Sequence, residues 1–211
     1  ERSLVTDSLF APYIDEKYRK FALSLSPSDK LPRMGIRIPI LRKLSKEVDW
    51  REIEINYMED VILKGLAIGF SKESAENKTE ALSSLLPYLS SWDQCDIIQS
   101  AFKVNEKNRE IYFSFFTSLL SSKETFIRRI AIVWLMSQRK RLDWEKALML
   151  IAESDNGDDY YISMAVAWAL ATFYADDTKA EEVFSLVSED TRKRTIRKIR
   201  ESRRCANPPQ L

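Results

Sequence analysis

The sequence predicts an all-α fold: paired helices repeated along the chain and curved into an α-solenoid with one concave groove. Three observations carry that prediction. No segment alternates apolar and polar residues between turn signals, whereas apolar residues recur at three- and four-residue spacings throughout. Only four glycines and seven prolines leave little material for hairpin turns or phosphate-cradling loops. Finally, Arg129 lies 37 residues after Trp92, and Trp168 lies 39 after Arg129. Helical hairpins of the HEAT type repeat at about 40 to 47 residues, and equivalent positions in successive repeats face one side.

The elements follow in order. Tyr13, Ile14, Tyr18 and Phe21 predict one or two short helices ending near Ser26 and Pro27, where proline cannot continue the hydrogen-bond ladder. Leu31 to Gly35 reads as a loop. Pro39 then suits the first turn of a helix whose buried stripe is Ile40, Leu41, Leu44 and Val48. Asp49 to Glu52 has the pattern of a capping box, and the apolar stretch from Glu59 to Phe70 follows. Within it Gly65 and Gly69 are four apart, a small-residue ridge that allows close helix packing. Lys78 to Leu89 reads as a further amphipathic helix. Ser91 with Gln94 is a second capping box and puts Trp92 in the first helical position. Helices are then expected over Asn108 to Leu120, over Glu124 to Gln138, and from an Asp143 cap through Ile151. Asp155-Asn156-Gly157-Asp158 is the clearest turn. Tyr160 to Tyr174 is nearly continuously apolar, so it should be central, and Thr178 to Val187 and Thr191 to Arg204 complete about a dozen helices. The expectation is one domain over 1–205 and a frayed tail over 206–211.

Composition excludes several classes of function. The chain has no histidine, which removes Ser-His and Cys-His nucleophile pairs and the usual zinc ligand set. A hydrolase built this way must work with carboxylates, aromatic faces and arginines, and no metal site or cofactor is expected. Cys95 and Cys205 lack metal-like spacing and read as free thiols in a reducing cytoplasm. No apolar run approaches the roughly 18 residues of a membrane span, and no signal-peptide pattern opens the chain. The expected place is therefore the cytoplasm, or the nucleoid if the source is bacterial, and the expected state is a monomer. Net charge is +1, but residues 190–204 hold six Arg and two Lys against Asp190 and Glu201. That is +6 in one helix and −5 in the remainder. A basic final helix suits an anionic partner, nucleic acid first, although a solvated helix face reads the same way.

The chemistry concentrates around Ser91 to Asp96. Residues four apart share a helix face, so the Trp92 ring and the Asp96 carboxylate should point the same way and form a small anionic, aromatic-walled site. The repeat interval places Arg129 and Trp168 along the same groove. Each residue also has a plainer reading. Trp92 and Trp168 suit an apolar core, Asp96 suits a helix dipole, and Arg128 or Arg129 suits a structural ion pair. Trp50, Trp134 and Trp144 read as packing residues only.

Four blocks of sequence resemble the DNA alkylation repair family of AlkD-like HEAT-repeat DNA glycosylases. They are Gly35 to Leu44, Ser91 to Asp96, Phe126 to Ile132, and Tyr160 to Trp168, with Lys198 to Ser202 similar to the family's C-terminal helix. The resemblance implies hydrolysis of the N-glycosidic bond of cationic N3- or N7-alkylated purines in duplex DNA, without drawing the base into a pocket. It implies that Asp96 is the catalytic carboxylate, that Trp92 and Trp168 pack on the deoxyribose at the lesion, and that Arg129 holds backbone phosphate. Arg128 beside it, and Arg197 and Arg200 of the basic helix, are further DNA-binding candidates. The chemistry agrees. An alkylated purine that is already cationic leaves without a protonating acid, so histidine is not needed. The transition state calls for stabilisation of an oxocarbenium-like sugar and a placed water. No lysine stands beside the motif residues, which implies a monofunctional enzyme. A relative that binds damaged or branched DNA without cleaving it, and a helical scaffold for proteins, are the alternatives.

Overall fold

The computed structural model describes residues 4–26 and 29–202. Its described residues are helical and contain no strand. Pro27, Cys205 and the 206–211 tail, with the expectations stated for them, lie outside the described residues. The chain divides into two compact units, Glu1–Phe102 and Lys103–Leu211.

The first unit runs α1 (Leu4–Phe10), α2 (Glu16–Leu25), α3 (Ile38–Leu44), α4 (Met58–Phe70), α5 (Ala75–Leu85) and α6 (Trp92–Ile98). Its centre is α4, which packs on α3, α5 and α6. Val61, Ile62, Leu63, Leu66 and Ile68 on α4 are at most 1% exposed, so the helix has almost no solvent face. The glycine ridge makes this possible. A Cβ on Gly65 would stand 2.7 Å from the Ile98 side chain, and one on Gly69 would stand 2.4 Å from Ala101 Cβ. Two carboxylates organise the approach to α4. Glu59 accepts from the backbone amides of Met34, Gly35 and Ile36 at 3.0, 2.8 and 3.3 Å, and fixes the loop before α3. Asp60 accepts from the amides of Asn56 and Tyr57 at 2.9 and 2.8 Å. Gly35 is required at its position: its φ is +90°, and a Cβ there would meet the Asp15 carbonyl at 2.6 Å.

The second unit runs α7 (Arg109–Ser118), α8 (Thr125–Gln138), α9 (Trp144–Glu153), α10 (Tyr160–Asp176) and α11 (Glu189–Glu201). Here α8 packs on α7, α9 and α10, while α10 packs on α8, α9 and α11. Ala165, Ala167 and Ala169 are fully buried, which lets the neighbours close on α10. Trp134 is fully buried and stacks on Phe116 at 4.3 Å between ring centroids. The turn after α9 has Gly157 at φ +72°. Asp155 ties that turn to α11, accepting from Ser188 N at 2.7 Å and Thr191 Oγ1 at 2.9 Å. On α11, Thr191, Thr195, Ile196 and Ile199 face inward. Arg192, Lys193, Arg197 and Arg200 face outward.

Three local readings are corrected. Asp49 does cap, accepting from Arg51 N at 3.0 Å, but it opens a single 3-10 turn over Trp50–Glu52, and α4 starts six residues later. Residues Thr178–Val183 form a 3-10 helix rather than a full α-helix. The helix expected from Lys78 begins at Ala75, because Ser74 caps it by accepting from Asn77 N at 3.2 Å. The cap at Asp143 is as expected and accepts from Lys146 N at 3.0 Å.

Candidate active site

Helix α6 starts where the Ser91–Gln94 pattern places it, and the capping box is formed. Gln94 Oε1 accepts from Ser90 N at 2.8 Å and from Ser91 N at 3.3 Å, which closes the backbone donors that precede the helix. Trp92 is then the first helical residue and Asp96 lies four residues on. Both line one cavity of about 270 Å³, so the shared face expected from their spacing is present.

The opposite wall comes from α2 and α3: Tyr18, Phe21, Leu25 and Ile38. Phe21 is 58% exposed and Leu25 46%, which makes the cavity's rim apolar and open to solvent. The Trp92 indole is anchored on that wall, its Nε1 donating to the Leu25 carbonyl at 3.4 Å. The Asp96 carboxylate is half-buried. Burial, with the nearby Asp93 charge second, pushes the Tyr18 hydroxyl above its ordinary value, so the ring stands there as a neutral phenol.

A second carboxylate, Asp93, also lines the cavity, but it has a fixed partner. Arg33 holds it in bidentate fashion, Nη1 to Oδ2 at 2.9 Å and Nη2 to Oδ1 at 3.1 Å. The same guanidinium holds Asp29, Nε to Oδ2 at 2.5 Å and Nη2 to Oδ1 at 3.3 Å. Ser91 Oγ also donates to Asp93. The side chains of Arg33 and Asp29 are 3% and 6% exposed. Two acids around one arginine leave one negative charge in the cluster that borders the cavity. An aromatic- and aliphatic-walled hollow with that charge beside it suits a cation with an apolar body. Among the described residues no group of three or more His, Cys, Asp or Glu side chains is placed to hold a metal ion.

The remaining candidates lie in the second unit. Arg129, the fifth residue of α8, is 6% exposed and donates from Nη1 to the Tyr161 carbonyl at 2.9 Å, tying α8 to the first turn of α10. Arg128 is half-buried and donates from Nη2 to the Ser154 carbonyl at the end of α9, while its Nε is buried without a hydrogen-bond partner. Trp168 is 38% exposed, which sets it apart from the core tryptophan Trp134. It lines a hollow of about 520 Å³ with Met136, Thr172, Lys198 and Glu201. Arg197 and Arg200 are exposed on α11. The structure therefore brings Trp92 and Asp96 together, and it gives Trp168 a surface position beside the basic helix.

The sequence reading missed the α2 wall and the Asp29–Arg33–Asp93 cluster. The i, i+4 spacing of Asp29 and Arg33 was visible, but Asp93 is 60 residues from Arg33 and nothing local pairs them. Trp50 and Trp144 stay packing residues: Arg51 lies 4.5 Å over the Trp50 ring, and Trp144 packs on Phe173 at 5.2 Å.

No curated protein matches the chain. The model of the DNA alkylation repair enzyme family matches residues 10–203, a span that contains every side chain just described. By that match over nearly its full length, the chain belongs to the DNA alkylation repair enzyme family.

Proposed function

We propose that this DNA repair protein is a monofunctional glycosylase that hydrolyses the N-glycosidic bond of cationic N3- and N7-alkylated purines in duplex DNA. The observation that carries the reading is the placement of Trp92 and Asp96 on one wall of a solvent-open, apolar-rimmed cavity. The lesion's positive charge makes the base a leaving group without proton transfer. As the bond breaks, positive charge moves to the sugar, and the ionised Asp96 stabilises it and orients the attacking water. The indole faces of Trp92 and Trp168 favour cations by about 0.5 to 2 kcal/mol each and pack on the deoxyribose. Preorganised groups of this kind commonly contribute about 10² to 10³ in rate.

In this reading the chain works as one domain and as a monomer, with Trp92, Asp96, Arg129 and Trp168 serving one reaction. Arg129 and Arg128 are each tied to a backbone carbonyl, so they present fixed charge to a phosphate rather than long mobile arms. Arg197 and Arg200 supply outward charge on α11. The test is to incubate the protein with methylated duplex DNA and measure free bases. Release of 3-methyladenine and 7-methylguanine supports the reading. Tight binding without release replaces it with the non-cleaving one.

A further inference from the structure

The second unit carries a groove that neither the sequence motifs nor the proposed reaction uses. It has a volume of about 490 Å³ and is lined by Arg109, Lys140, Arg141 and Lys146, with Phe113 among them. Arg109 opens α7, Lys140 and Arg141 lie in the 3-10 turn that follows α8, and Lys146 is in the first turn of α9. All four cations are exposed. Arg141 is braced by donation to the Val104 carbonyl at 3.2 Å, and Lys146 Nζ lies 4.9 Å from the centre of the Phe113 ring. The acids present are Glu110 and Asp143, and one Asp143 oxygen is engaged as the cap of α9. Neighbouring Arg139 is neutralised by Asp176, at distances of 2.5 and 3.1 Å, whereas Lys140 reaches the same acid only at 3.9 Å. The groove is thus left with two uncompensated positive charges in a chain whose net charge is +1. Like charges gathered on a concavity focus their field outward, the arrangement that attracts an extended polyanion.

We propose that this groove is a second phosphate-binding site, gripping the backbone of duplex DNA that flanks the lesion. The claim rests on duplex DNA being the partner and does not need the glycosylase step. The groove's cations come from three elements, the start of α7, the turn after α8 and the start of α9, so the charge is spread along the groove rather than held at one point.

The test compares wild type with Arg109→Gln/Lys140→Gln/Lys146→Gln and with the charge-keeping Lys140→Arg/Lys146→Arg, measuring affinity for unmodified duplex DNA between 50 and 200 mM salt. Each phosphate that is no longer neutralised should shrink the affinity ratio across that range by about 3.5-fold. The triple glutamine variant is expected to release two or three phosphates, and the arginine variant none. An unchanged salt dependence in the triple variant, with its helical circular dichroism intact, overturns the proposal. Should the triple variant not fold, Lys140→Gln alone decides, because it gives up only a long ion pair to Asp176. Here the expected effect is the release of one phosphate, and a wild-type salt dependence overturns the proposal. The full effect in the variant, together with a wild type that releases no base, removes the glycosylase reading and leaves this groove standing. Base release with a salt-insensitive groove does the reverse.

Discussion

Arg33 is a single guanidinium between two carboxylates, with its own side chain 3% exposed, and it joins the loop before α3 to the first turn of α6. Removing one member of such a cluster leaves uncompensated charge in low dielectric, a loss of about 3 to 5 kcal/mol. Arg33→Gln is therefore expected to lower the unfolding free energy by about that amount in urea titrations. A loss below about 1 kcal/mol would mean that the cluster is solvated and does not brace the cavity. Asp60 shows the opposite balance. Burial pushes its carboxyl up to about 6, against the two amide hydrogen bonds that favour its charge, and its Oδ1 is buried without a partner. A carboxyl whose folded pKa is raised favours folding below about pH 4. That contribution is lost as pH rises towards 6, and above this the buried charge weighs against the fold by on the order of 3 kcal/mol. Asp60→Asn should thus be more stable than wild type at pH 7 and gain nothing at pH 4; an equal difference at both would refute the assignment. Neither residue was legible as special in the sequence. Their roles come from partners and burial that residue type does not encode, whereas the Trp92–Asp96 pair was legible because a helix converts four-residue spacing into a shared face.

At the scale of elements, local signals were read well and tertiary ones poorly. The caps at Ser91 and Asp143 and the Gly157 turn each depend on a few adjacent residues, and each stands where the sequence puts it. The Asp49 pattern is equally local, yet it yields one 3-10 turn. Tertiary packing decides where the long helix starts, and Met58, fully buried, opens it. The glycine ridge on α4 was legible as close packing, but its partner was not. Overpacking of such surfaces commonly costs about 1 to 3 kcal/mol. Gly69→Ala meets Ala101 Cβ and that residue's backbone, which cannot rotate away, while Gly65→Ala meets only the Ile98 side chain. Gly69→Ala is therefore expected to destabilise more than Gly65→Ala in thermal melts; the reverse order would show that α4 and α6 slide to accommodate the methyl.

Across the whole molecule, the recurring interval does place Trp92, Arg129 and Trp168 on alternate helices, α6, α8 and α10. They occupy the first, fifth and ninth positions of those helices and differ in burial, so the repeat is one of helix order rather than identical register. An interval in sequence counts loops as well as helices, which is why it fixes the helix and not the height along it. The uneven charge was legible as well. On α11, Lys193 and Arg194 are paired with Glu189 and Asp190 at 2.6 and 2.7 Å, and the exposed face continues through Arg197 and Arg200. Replacing Arg197 and Arg200 by glutamine should reduce the slope of log affinity against log salt by roughly 0.9 for each phosphate released; an unaltered slope would clear α11 of a role in holding DNA. The most direct test of the central claim is single-turnover base release by Asp96→Asn, at protein concentrations that saturate methylated duplex DNA. The substitution keeps the side chain's shape and removes its charge, so DNA affinity should hold while release of 3-methyladenine and 7-methylguanine falls about 10²- to 10³-fold. Release at the wild-type rate would contradict the account, because the cavity would then work without the carboxylate around which it is built.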